Sequence, residues 1–415
     1  MKAYLNFTNN ALSKVGYLKA VWKILTFQSA KNYQKCMDLV GEFFNVSSKQ
    51  VFLFGGGRMA VYSLLKHLSL KEDDEVIVAG YTCVVLTNAV KFSGAKIAYV
   101  DVDLHSGNML QEALFSSIHE RSKVLIIPHN FGIVSSLIPE IKERFPQLYI
   151  IEDVAHSFGS KDAQQQLAGT LGHAAFFSLE YSKPITSGIG GLLIVNELHD
   201  FNRFKANYEA LNYFPRSYVF KIIVTLGALN LTYFSNTTFF LKNTFRILSK
   251  LKWVYNTSKM EIDGFLPPHY PVKLSKVLSN FLVIQLEHIH TINEKKKQIV
   301  ASYQSTFHAF NDLITIPTND LILVRYPLLF GPQITNDQIK QIQKEAYEKG
   351  YTFGVWFNDV VHPIGSYRYG YEAGACENGE YLSKRMLNLP VNINYPLNEG
   401  QLNDLVQLLK KYGVQ

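Results

Sequence analysis

Short apolar runs separated by segments of helical period organise the first half of the chain. Val51–Phe54 is a continuous apolar run, Gly55, Gly56 and Gly57 follow at once, and Met59–Leu68 then carries apolar residues at helical spacing. Further strands are predicted at Glu75–Val78, Lys96–Val102, Lys123–Pro128, Tyr149–Ile151, Ala174–Ser178 and Gly191–Asn196, with helices over Gln34–Phe44 and Val84–Phe92. Strands this short, continuous and β-branched suit a parallel sheet buried on both faces. Their alternation with helices predicts an α/β domain, a mostly parallel sheet wrapped by helices.

Beyond about residue 265 the pattern changes. It predicts a helix from Leu274 to Thr306, a strand over Leu321–Leu329 and helices over Asp337–Lys349 and Gly400–Tyr412, which together read as a smaller α+β domain. Gly264, Pro267, Pro268 and Pro271 mark the linker, giving domains 1–265 and 266–415. The larger one ends in a basic, hydrophobic insertion at about 205–265. Within it Ile222–Leu241 runs without a charge, near the lower length limit of a membrane span. Asn230, Ser235, Asn236 and several threonines interrupt it, so it is not read as transmembrane.

Composition narrows the class. The 415 residues are 47% hydrophobic and 18% charged, which excludes a disordered or low-complexity chain. Three widely spaced cysteines, Cys36, Cys83 and Cys376, make neither a disulfide framework nor a metal site, and no signal-peptide pattern opens the chain. A cytoplasmic location is expected. The net charge of +7 resides in one stretch. Between Glu209 and Glu261 there is no acid, while Arg216, Lys221, Lys242, Arg246, Lys250, Lys252 and Lys259 are all cationic, and the rest of the chain balances. Leu241, Phe245, Leu248 and Trp253 interleave with these cations at the spacing of a basic amphipathic helix. The stretch reads as a packing or dimer element, as a peripheral contact with an anionic membrane surface through 210–260, or as a binder of substrate phosphates. No nucleic-acid motif accompanies the charge.

Four segments carry candidate chemistry, and each has an ordinary alternative. Gly55-Gly56-Gly57-Arg58, between strand and helix, brings backbone N–H groups and a helix N-terminus to bear on a phosphate, or is a tight turn. Glu152-Asp153-Val154-Ala155-His156 lies at a strand's C-terminal end, where open α/β sheets bind ligands; Asp153 there is either a pocket carboxylate or a helix cap. Lys183, after the strand ending at Ser178 and before Thr186–Gly191, is placed to be a desolvated nucleophile or is simply solvated. His129–Gly132 is a fourth turn after a strand.

The order and joint spacing of these segments resemble the DegT–StrS family of sugar-nucleotide aminotransferases, fold-type-I enzymes that use pyridoxal phosphate (PLP). Phe54–Leu65 resembles the family's strand, phosphate turn and helix, and Ala79-Gly80-Tyr81-Thr82-Cys83 its proline-x-aromatic-threonine segment. His129–Gly132 matches H-x-x-G, Glu152–Gly159 matches E-D-x-A-x-x-x-G, and Ser178–Gly191 matches S-x-x-x-x-K with a trailing glycine turn. Ile284-Gln285-Leu286 is similar to its Q-L helix, and Trp356–His362 and Leu389-Pro390 to its substrate-side and terminal strand elements. The likeness covers roughly residues 30–200 and 270–412.

The resemblance implies that Lys183 forms the Schiff base with PLP and that Asp153 holds the pyridinium nitrogen protonated. It places His156 where the family has glutamine, beside the phenolic oxygen, and Ser178 with the backbone of Gly57 and Arg58 at the phosphate. It further implies a homodimer that uses a nucleotide-linked keto-sugar and an amino donor, by family habit glutamate, to make amino sugars for a surface glycan. Four positions depart from the family pattern. Arg58 replaces a threonine, and Cys83 replaces the aromatic that stacks on the ring, which leaves that task to Tyr81 or another residue. Pro271-Val272-Lys273 replaces the N-x-R element a neighbouring subunit usually contributes, and Ile189 replaces an acid. Two alternatives stay open: a PLP-fold protein that binds without turnover, and a PLP enzyme of other chemistry such as an amino-acid lyase.

Overall fold

The structure, a computed structural model, describes residues 11–232, 250, 259–310, 313–314, 321–365 and 370–415. Helices α1 (Lys14–Leu25) and α2 (Ser29–Phe44) precede β1 (Val51–Phe54), α3 (Gly57–Leu68), β2 (Glu75–Ala79), β3 (Thr82–Cys83), α4 (Val84–Ser93) and β4 (Lys96–Val100). Next come α5 (Gln111–Ser117), β5 (Ser122–Pro128), α6 (Ile138–Arg144), β6 (Tyr149–Asp153), β7 (Ala174–Ser178) and β8 (Gly191–Val195). Helices α7 (Phe201–Glu209), α8 (Arg216–Thr232), α9 (Lys259–Ile262), α10 (Ser279–Leu286) and α11 (Ile289–Phe307) follow. The chain closes with β9 (Leu313–Ile314), β10 (Arg325–Phe330), α12 (Asn336–Lys349), β11 (Val361–His362), α13 (Glu377–Arg385), β12 (Met386–Pro390) and α14 (Glu399–Lys411).

The main sheet has seven strands in the order β1-β8-β7-β6-β5-β2-β4. Strand β8 runs antiparallel to both its neighbours, and the other pairs are parallel. Alternate residues of the central strands enter different cores. Val76, Val78, Val124 and Ile126 face one side, and Ile77, Ala79, Leu125 and Ile127 face the other. This two-sided burial is why the strands read as unbroken apolar runs. A second core gathers Val300, Tyr303, Phe307, Leu328, Phe330, Leu389, Leu405 and Leu409 around the small sheet β12-β10-β9.

Three expectations shift. The single helix predicted over 274–306 is two, α10 and α11, because His288 leaves helical geometry at φ −123. Val272, Leu274 and all of α10 pack into the first core, as do Ile289 and Ile292, whereas Ile299 and Val300 belong to the second. By packing, the change of core therefore falls inside α11, downstream of the Gly/Pro-rich segment at 264–271. The stretch before α2, for which the pattern predicts no element, is helix α1: the Ser13 hydroxyl accepts from Gly16 N–H at 3.0 Å as its N-cap.

Of the basic insertion, residues 205–232, 250 and 259–265 are described, α8 and α9 among them. The amphipathic pattern at Leu241, Phe245, Leu248 and Trp253 lies outside the described residues. Among the described residues no helix is long and apolar enough to cross a membrane.

Candidate active site

A cavity of about 350 Å³ opens at the C-terminal ends of β5, β6 and β7, against the N-terminus of α3. That is where a parallel sheet leaves a crevice between diverging connections. Gly57, Arg58, Tyr81, Cys83, Asp153, His156, Ser178 and Lys183 all line it. Trp356, Phe357 and His362 also line it, carried from far along the chain by the β11–β3 pairing.

Asp153 ends β6, and its Oδ1 accepts from Ala155 N–H at 3.0 Å. Burial raises its pKa; the Ala155 N–H and the charges of Lys183 and His129 pull the other way. Burial likewise lowers the basicity of Lys183, with Arg325 adding to the effect, while Glu180, Asp153 and Cys83 oppose it. An amine held this way spends more time neutral, as a nucleophile must. The Lys183 ammonium sits 4.3 Å from the centre of the Trp356 ring. His156 lies parallel to that indole, 4.6 Å away at 10°. Its Nδ1 accepts from Phe131 N–H at 3.4 Å, and burial first, then Lys183 and Arg325, hold its pKa well below the usual histidine value. The imidazole is therefore neutral, with Nε2 carrying the proton.

Tyr81 is buried with its hydroxyl engaged twice. It donates to Trp356 O at 2.7 Å and accepts from Phe357 N–H at 2.6 Å. Its ring meets Phe357 edge-on. Tyr81 thus fixes the 356–357 segment, and the ring stacked on His156 is Trp356. The Cys83 thiol is pushed up by burial.

At the other end of the cavity the helix N-terminus of α3 presents Gly57 and Arg58, and its cap residue Gly56 offers no side chain to satisfy the first amides. Gly191 of β8 makes this turn possible: a Cβ there would lie 2.2 Å from Gly57 N. The charge of Arg58 is already committed. Its Nε and Nη2 both donate to the Glu261 carboxylate on α9, the second at 2.8 Å, so the far end of the insertion folds back onto the phosphate turn. Lys273 is not part of the cavity wall; its Nζ donates to Glu209 O at 2.8 Å beside Tyr213.

Three supports behind the cavity were not legible as such in the sequence. Glu152, fully buried, accepts from His129 Nε2 (2.9 Å) and from the N–H groups of Gly169, Leu171 and Gly172 (2.7, 2.7 and 2.6 Å). Gln285 clamps Thr186 from both sides, accepting from its N–H at 3.0 Å and donating to its carbonyl at 2.6 Å. Arg325 on β10 lies 3.3 Å from the Trp356 ring centre, and burial lowers its pKa to about 9.

Lys296 on α11 is 1% exposed and donates to the carbonyl of Pro184, the residue after Lys183, at 2.8 Å. Burial lowers its pKa to about 7. An unfolded lysine titrates near about 10.4. Between those values the unfolded chain holds more protons, so this residue makes stability rise with pH across about 7 to 10. Lys296→Met is expected to flatten that slope, as read from urea unfolding of parent and variant across the window. Parallel slopes in the two proteins would refute the assignment.

Comparison with known proteins agrees with this architecture. Residues 18–206 and 247–409 match the family described as the DegT/DnrJ/EryC1/StrS aminotransferase family. The spore coat polysaccharide biosynthesis protein SpsC of Bacillus subtilis is 21% identical over 88% of this chain and 86% of its own length. GDP-perosamine synthase of Escherichia coli O157:H7 is 32% identical over a shorter span, 35% of this chain and 40% of its own. Among solved structures, Helicobacter pylori PseC, an aminotransferase involved in the biosynthesis of pseudoaminic acid, superposes with a TM-score of 0.71 at 17% identity, covering 99% of both chains.

Proposed function

This chain belongs to the DegT/DnrJ/EryC1/StrS aminotransferase family, and from that premise we propose that it transfers an amino group, by way of PLP, from glutamate to a keto-sugar carried on a nucleotide. The observation that carries the reading is the meeting of Lys183 and Asp153 in one cavity, at strand ends, beside a helix N-terminus. The donor set suits PLP: an amine of lowered basicity, a carboxylate, and first-turn amides at the phosphate end.

When bound, PLP supplies an electron-withdrawing ring that stabilises negative charge at the substrate carbon. The chain's own residues do the rest. Asp153 holds a proton at the ring nitrogen by charge. Lys183 Nζ carries the proton between carbon and nitrogen, its neutral form favoured by burial. The amides of Gly57 and Arg58, with Ser178, orient the phosphate. The neutral His156 offers its Nε2–H as a donor, and Trp356, held by Tyr81, covers one side of Lys183. A homodimer working in the cytoplasm, and an amino sugar destined for a surface polysaccharide, belong to the same proposal. The names of the perosamine synthase and the spore coat protein lend support to it.

Half-reactions test it. Glutamate alone is expected to bleach the visible absorption of the PLP-loaded protein, and a keto-sugar nucleotide from a panel to restore it. No bleaching by any amino donor would leave a binding protein without turnover. Bleaching reversed by keto-acids but by no sugar nucleotide would point to amino-acid chemistry instead.

A further inference from the structure

Two stretches of this chain carry cations without acids, and folding sets a helix of one against a helix of the other. No Asp or Glu precedes Asp38, whereas Lys2, Lys14, Lys19, Lys23, Lys31 and Lys35 do. The other stretch is 210–260, whose helix α8 bears Arg216 and Lys221. Helix α1 docks on α8, the Tyr17 hydroxyl donating to Ile223 O at 3.2 Å. Gly227 makes the room: a Cβ there would stand 2.7 Å from that hydroxyl.

Helix α1 is apolar on both sides. Gly16 and Ala20 are buried, and Tyr17, Val21 and Ile24 pack against the first core. The outward side is Val15, Leu18, Trp22 and Leu25, exposed by 60, 57, 65 and 65%, followed by Phe27 at 94%. At about 100° per residue those four fall within an arc of roughly 80°. Lys19 and Lys23 border the arc on one side, and Lys14 on the other. On α8, Tyr218 and Phe220 are exposed as well. A helix facing only water carries polar residues there. An apolar stripe edged by lysines is the pattern of a helix lying in a membrane interface, stems along the lipid and ammonium groups at the phosphates.

Charge decides the occupant. A two-fold contact through this face would set the same patch against itself, cations on cations, with no carboxylate in either helix. An anionic bilayer complements both the charge and the apolar stripe. We propose that α1 and α8 together dock this protein on an anionic phospholipid surface, Leu18, Trp22, Leu25 and Phe27 entering the headgroup boundary while Lys19, Lys23, Arg216 and Lys221 meet lipid phosphates. Lys35 takes no part, being paired with Glu287 at 2.5 Å. The proposal goes beyond transamination and is independent of it. It places half of the surface in the N-terminal helix, far in sequence from 210–260.

The test is flotation of the full-length, PLP-loaded protein with vesicles of phosphatidylcholine alone or mixed with phosphatidylglycerol. Flotation is expected only with the anionic vesicles, at low salt, and at least tenfold weaker for Trp22→Ser/Phe27→Ser and for Lys19→Gln/Lys23→Gln/Lys221→Gln. All these side chains stand away from the cavity, so transamination in solution is expected to be kept. Absence of flotation at low salt overturns the proposal, as does flotation indifferent to both variants. If the apolar variant instead lowers the mass seen by size exclusion with light scattering, the face is a contact between copies, and the proposal fails on that ground too.

Discussion

Borohydride reduction of Lys183→Ala protein incubated with PLP leaves no cofactor covalently attached to the chain, and transamination falls by roughly a thousandfold or more. Parent protein treated alike carries a pyridoxyl group on the peptide containing Lys183. The basis is the half-buried position of this amine beside Asp153 and Glu180, at a pocket that no other lysine lines among the described residues. Mass spectrometry of the digested protein reads the result. A pyridoxyl adduct on another residue, in parent or variant, would remove Lys183 from its role and with it the proposed mechanism.

The largest loss of stability is expected at Glu152. Its carboxylate, fully buried, accepts four hydrogen bonds from donors on two separate segments, His129 and the loop 169–172. Glu152→Gln keeps the shape but turns one oxygen into a donor, so at least one N–H at 2.6–2.7 Å then faces another N–H. Leaving buried donors unsatisfied and removing the charge that binds them costs about 3–5 kcal/mol. Urea unfolding of the cofactor-free protein measures it. A loss below about 1 kcal/mol would mean that the loop 169–172 and His129 are anchored by something else. Because Glu152 adjoins Asp153, the same variant also disturbs the cavity floor.

The sheet was largely legible in the sequence, since burial on both faces leaves continuous apolar runs: Val51–Phe54 and Ala174–Ser178 fall where the pattern puts them. The reversed direction of β8 was not legible, because Gly191–Val195 is equally apolar whichever way it runs. Helix α1 was missed for a related reason: with apolar residues both inward and outward it lacks the one-sided stripe by which a surface helix is recognised. At the site, motif spacing named Lys183, Asp153, His156 and Ser178, residues held by strand ends close in sequence. Trp356 was named only as part of a substrate-side segment, without its place on His156, and Arg325, Glu261 and Lys296 reach the cavity region by tertiary folding alone. Nothing in the local sequence distinguishes Lys296 from the exposed Lys295 before it or from Lys297 after it, which pairs with Glu294.

Helix α11 acts as a rod set in two sockets. At 19 residues it is about 28 Å long, with Ile289 and Ile292 seated in one core and Ile299, Val300, Tyr303 and Phe307 in the other. Lys296 sits between these anchor points and grips Pro184 O. Any swing of the second core tilts the rod and draws the Lys296 amine from its acceptor, leaving a buried N–H donor without a partner. That penalty acts as a detent: it fixes the angle at which the β10 sheet, bearing Arg325, stands over the loop that presents Lys183.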